Sequence, residues 1–121
     1  MKPTFLIVAL PLAFLSAGPA LAQSMCVIAG SNPIMGANMS ADFDVSAPGC
    51  TADIRPQGSL ASSEVSQKPQ HGTVKFVDKD TWTYEPTAGY RGPDSFTITA
   101  VGQSVDQKPG TSVLSYKVNV K

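Results

Sequence analysis

Towards the C-terminus, apolar and polar side chains alternate with a period of two. In Thr73-Val74-Lys75-Phe76-Val77, Val74 and Phe76 share one face; Asp78-Lys79-Asp80 is a polar break; Thr81-Trp82-Thr83-Tyr84 then resumes with Trp82 and Tyr84 together. This pattern predicts a strand, a turn and a second strand, because a two-residue period lets one face of a hairpin bury while the other stays wet. Ser95 to Ala100 alternates again with Phe96, Ile98 and Ala100 inward, and the final segment sets Leu114, Tyr116, Val118 and Val120 against Ser115, Lys117 and Asn119. In the N-terminal half the pattern is weaker. Ala41, Phe43 and Val45 alternate with Ser40, Asp42 and Asp44, while Met25–Ala29, Thr51–Ile54 and Leu60–Val65 are short strand candidates. No stretch sustains the three-and-four spacing of a helix. About seven short strands separated by Gly and Pro turns predict an all-β, two-sheet sandwich, since a single sheet cannot bury these faces.

The first residues have a different pattern. Lys2, the apolar run Phe5 to Leu15, and Ala20-Leu21-Ala22 are the three parts of an export signal. The expected division is therefore residues 1–22 as a cleaved signal peptide and 23–121 as one domain. A membrane-spanning helix needs about 20 apolar residues, and this run is shorter and carries Pro11. Cys26 follows Gln-Ser-Met, which lacks the small-residue box that lipoprotein processing needs. Loss of the leader removes Lys2 from a balanced set of nine basic and nine acidic residues. A nearly neutral surface carries no electrostatic footprint for nucleic acid or anionic membrane. The expected location is periplasmic or secreted, with no membrane span after cleavage.

Export puts Cys26 and Cys50 in an oxidising compartment, where a structural disulfide is the favoured pairing. A metal site would lack partners, since His71 is the only histidine, and a redox pair of the C-x-x-C type is absent.

The stretch from Val65 to Val101 resembles the bacterial cadherin-like, immunoglobulin-like repeat of large surface proteins. The residues that carry the resemblance are Pro69, Gly72 and Thr73 at a turn entering a strand, then Thr83, Tyr84 and Pro86, then Gly89, Tyr90, Gly92, Asp94, Ser95 and Phe96. The match occurs once and covers somewhat more than half of residues 23–121. The same residues have physical roles as scaffold. Gly72, Gly89 and Gly92 are expected where the chain turns with positive φ. Pro86 ends the hairpin. Tyr90 is expected to bury its ring and reach backbone with its hydroxyl, and Asp94 to accept amides just before its strand. Calcium-binding members cluster Asp and Asn at repeat junctions, and Asp42/Asp44 and Asp78/Asp80 are only spaced pairs.

Chemistry finds little support. His71 reads as an exposed turn histidine, and no Gly-x-Ser-x-Gly elbow is present. Trp82, Tyr84 and Tyr90 could form a sugar-stacking platform, but the shared face with Val74 and Phe76 assigns Trp82 and Tyr84 to the core. Met25, Met35 and Met39 with Cys26 suggest a soft copper site, against which stands their use as apolar filler. The expected function is an exported, non-catalytic Ig-like module of the cell envelope with no cofactor. It binds an unidentified protein or envelope component through loops or a sheet edge, with the final strand, running out to Lys121, as the candidate edge. The alternatives are a periplasmic metal or small-ligand carrier, and an inhibitor of a secreted hydrolase presenting Tyr84 to Asp94.

Overall fold

The structure is a computed structural model that describes residues 24–29 and 33–121; the expected leader, 1–22, lies outside the described residues. Among the described residues nine strands follow in chain order: β1 (Ser24–Met25), β2 (Ile28–Ala29), β3 (Met39–Val45), β4 (Cys50–Asp53), β5 (Ser59–Gln67), β6 (Gly72–Phe76), β7 (Thr81–Pro86), β8 (Gly92–Gln103) and β9 (Pro109–Val120). They form a four-stranded sheet, β1-β4-β7-β6, and a five-stranded sheet, β2-β3-β9-β8-β5. No helix among the described residues is long and apolar enough to cross a membrane.

The predicted alternation is realised strand by strand. In β3, Ala41, Phe43 and Val45 are buried while Ser40, Asp42 and Asp44 face water. In the β6–β7 hairpin, Val74 lies opposite Tyr84 and Phe76 opposite Trp82, so all four share one face. Phe96, Ile98 and Ala100 of β8 and Leu114, Tyr116, Val118 and Val120 of β9 complete the inner layer. Phe43 stands among four rings, with centroids 5.8 Å from Trp82, 6.1 Å from Tyr84 and 6.3 Å from both Phe96 and Tyr116. Trp82 and Tyr84 come from one sheet and the other three rings from its partner, so the aromatic cluster is the contact that joins the sheets. Burying each large apolar side chain contributes about 1.5–3 kcal/mol, and tilted or edge-on ring pairs add to this.

The lateral order overturns one expectation. β9 is an interior strand: β3 pairs with it in parallel on one side and β8 antiparallel on the other. From Leu114 to Val120 it is paired on both sides, and that stretch offers no edge for strand addition. Alternation reports which way a side chain points and is the same for edge and interior strands of a sandwich, so it carried no information about neighbours. The outer strands of the five-stranded sheet are β2 and β5, and β5 is interrupted by register shifts between Leu60 and Ser62 and between Val65 and Gln67. Bulges of this kind twist an edge away from a would-be partner strand.

Candidate functional site

The motif residues converge at one end of the sandwich around a buried carboxylate. Asp94, 8% exposed, lies inside β8 and not just before it. Its Oδ1 accepts the amides of Gln70 (3.1 Å) and Ser95 (2.9 Å), and its Oδ2 accepts the amide of His71 (3.2 Å) and the Tyr84 hydroxyl (2.7 Å). One side chain thus ties the turn before β6, the strand β7 and the start of β8. Tyr84 is fully buried, and its hydroxyl is held well above the ordinary range, first by burial and then by the hydrogen bond and charge of Asp94. Tyr116 is pushed up to about 12 by burial, opposed by the Trp82 indole. Among the described residues that indole N–H has no hydrogen-bond partner, and the ring packs as an apolar group against Phe96 and Tyr116.

The other expected residues fall around this pin. Gly89 and Gly92 have φ of +83° and +136°, as a turn requires. Gly72 is used differently, because it lies in β6 as a close-approach residue without positive φ. A Cβ there would sit 2.8 Å from the Tyr84 ring and 2.7 Å from the Glu85 carbonyl oxygen. Pro69 precedes β6, Thr73 is exposed on it, Pro86 closes β7 opposite Gly72, and Phe96 is core. Tyr90 donates its hydroxyl to the Pro93 carbonyl, but its ring is only partly buried. The cover on that ring is His71, stacked with centroids 4.0 Å apart and planes 3° from parallel. His71 is therefore a half-buried packing partner and not the exposed turn residue that the sequence suggested. A shallow depression of roughly 500 Å³, lined in part by His71, Tyr90, Ser95 and Lys117, opens beside the pair.

Cys26 and Cys50 form a disulfide. The methionines do not converge on it: Met25 is exposed on β1, and Met35 is buried with its sulfur 3.9 Å from Ser112 Oγ. Asp42 and Asp44 point to solvent, and Asp44 pairs with Lys121 at 3.2 Å. Asp80 accepts from Thr81 in the hairpin turn, and Asp78 flanks the same turn. Among the described residues, no group of three or more His, Cys, Asp or Glu is gathered for a metal.

The opposite end holds what the sequence reading missed. Asp53 pairs with Thr81, Ser59 with Gln103, Gln103 with Pro109, and Met39 with Leu114, so the segments 33–38, 54–58, 77–80 and 104–108 all emerge there. Three large apolar side chains stand exposed on them: Ile34 (53%), Val77 (65%) and Val105 (72%). The first of these segments is anchored from within. Ser112, fully buried, accepts the Gly36 amide at 2.9 Å and donates to the Ile34 carbonyl at 3.1 Å. The β9 alternation, carried two residues back from Leu114, places Ser112 inward and was the available signal. Nothing in the sequence marks the loops as neighbours.

The sequence profile described as Bacterial Ig domain matches residues 27–119. No curated protein matches the chain. With two packed sheets, the β3–β9 parallel pairing and a profile match over most of its length, the chain belongs to the Bacterial Ig domain family.

Proposed function

We propose that this protein is an exported binding or structural module of the cell envelope, acting by protein–protein contact and without catalysis. Ig-like domains are generally non-catalytic and mediate interactions, bacterial ones occur in surface proteins, and the Cys26–Cys50 disulfide fits an extracytoplasmic location. Export itself rests on the leader pattern of residues 1–22. The observation that carries the binding reading is the loop end, where Ile34, Val77 and Val105 stand in water on three separate connections. Apolar side chains grouped on loops of a rigid scaffold are what a recognition surface needs. Arg55, Lys79, Asp106 and Lys108 are exposed on connections at the same end and supply polar side chains for a rim.

The test is affinity capture from the native envelope with tagged protein comprising residues 23–121, beside an Ile34→Ser, Val77→Ser, Val105→Ser variant. A partner held by the parent and lost by the folded variant supports the reading; equal capture by both refutes it. The carrier alternative is read on the same purified protein by elemental analysis, where stoichiometric copper would displace the module. The inhibitor alternative draws on Tyr84 to Asp94, but Tyr84–Pro86 belongs to β7 and Gly92–Asp94 to β8, so only 87–91 is loop, held by Thr87 N to His71 O at 2.8 Å and Tyr90 N to Thr87 O at 3.0 Å.

A further inference from the structure

Residues 24–29 serve both sheets at once. β1 pairs in parallel with β4, Ser24 opposite Cys50 and Met25 opposite Thr51. Three residues later the same segment has crossed to the other sheet, where β2 pairs with β3, Ile28 opposite Phe43 and Ala29 opposite Asp42. The segment 24–29 is therefore a strap that forms the outer strand of each sheet on the side away from β5 and β6. It closes that side of the sandwich.

Among the described residues, each ladder is two residues long, and one further backbone bond runs from Cys26 N to Thr51 O at 2.8 Å. Met25 and Val27 are 59% and 85% exposed, and only Cys26 and Ile28 pack against the core, both partly buried. No strap residue belongs to the buried set that joins the sheets. The disulfide sits at the crossover itself, binding Cys26 to Cys50 at the start of β4. The closed covalent loop spans 24 residues of sequence separation, so β5 to β9 lie wholly outside it.

We propose that the Cys26–Cys50 disulfide is a redox latch on this strap, so that its reduction releases residues 24–29 and bares the outer edges of β3 and β4 while the sandwich stays folded. The reductant is a dithiol. Thiol–disulfide exchange breaks the Sγ–Sγ bond and leaves one thiol on each cysteine. The dithiol is oxidised to its own disulfide, and two protons pass to the two sulfurs. Locally weak elements with few buried contacts open independently of the core, and the strap has those attributes. The oxidised form presents two covered edges; the reduced form presents a released segment 24–29 and a seven-residue β3 whose other side remains paired with β9.

Hydrogen–deuterium exchange on the whole protein, oxidised and in dithiothreitol, tests this. The expected result is a loss of protection of roughly tenfold or more in residues 24–29 and in their ladder partners of β3 and β4. Amides of Phe96, Ile98, Leu114 and Tyr116 stay unchanged. Cys50, 3% exposed beneath the strap, should then react with iodoacetamide in native buffer. The Cys26→Ser, Cys50→Ser double variant should match the reduced protein. Collapse of protection throughout β8 and β9, in the reduced protein or the variant, would make the disulfide a staple of the whole fold and overturn the proposal. Unchanged protection of 24–29, with Cys50 alkylated only in denaturant, would overturn it equally.

Discussion

Replacing Asp94 by alanine removes the acceptor for four donors at once. Their costs differ. Gln70 and Ser95 are exposed and His71 is half-buried, so water replaces the carboxylate at those amides at about 1 kcal/mol or less each. The Tyr84 hydroxyl is fully buried and stays unpaired, which costs about 1–3 kcal/mol. The total is about 3–5 kcal/mol, and 3 kcal/mol alone lowers Tm by roughly 12–24 °C in a domain of this size. The assay is urea unfolding followed by fluorescence of Trp82, the single tryptophan, which moves from full burial to water. The decisive comparison is Tyr84→Phe. In the parent it removes one hydrogen bond and costs about 1 kcal/mol, with Asp94 keeping three amide donors. In the Asp94→Ala background it removes the orphaned hydroxyl and should be neutral or stabilising. If Tyr84→Phe costs the same in both backgrounds, the two groups are uncoupled and the reasoning fails.

Gly72→Ala should destabilise by about 1–3 kcal/mol, since its Cβ meets the Tyr84 ring and the Glu85 carbonyl and neither can retreat without disturbing the core; the urea midpoint checks this. Stability should be fully present below pH 10 and fall as pH rises from there towards 12. Both tyrosines hold their protons more tightly folded than unfolded, so the unfolded chain ionises first; Tyr116 alone, raised from 10.0 to about 12, accounts for on the order of 3 kcal/mol, read from unfolding midpoints across that window. Ser112→Ala should cost about 1–2 kcal/mol and raise amide exchange in 33–38 selectively, because the hydroxyl serves both the Gly36 amide and the Ile34 carbonyl; unchanged exchange there would show that the loop is held by something else.

Period-two alternation by itself determined which side chains of β6 to β9 face inward, down to the shared face of Val74, Phe76, Trp82 and Tyr84. Two cysteines alone left one intrachain pairing, and the disulfide is that pair. Asp94 was legible as an amide acceptor, because a short carboxylate after a turn glycine has backbone donors near at hand. Its bond to Tyr84, the His71–Tyr90 stack and the use of Gly72 as a close-approach residue were not legible, since each depends on how the turn before β6 docks on the loop before β8. Lateral strand order was decided only in three dimensions. Side-chain polarity encodes the face of a strand, while the neighbour is chosen by backbone hydrogen bonds that every residue type offers alike. For that reason the final strand could look like an edge in the sequence and lie in the middle of the sheet, and six residues near the N-terminus could become the cover of both sheets.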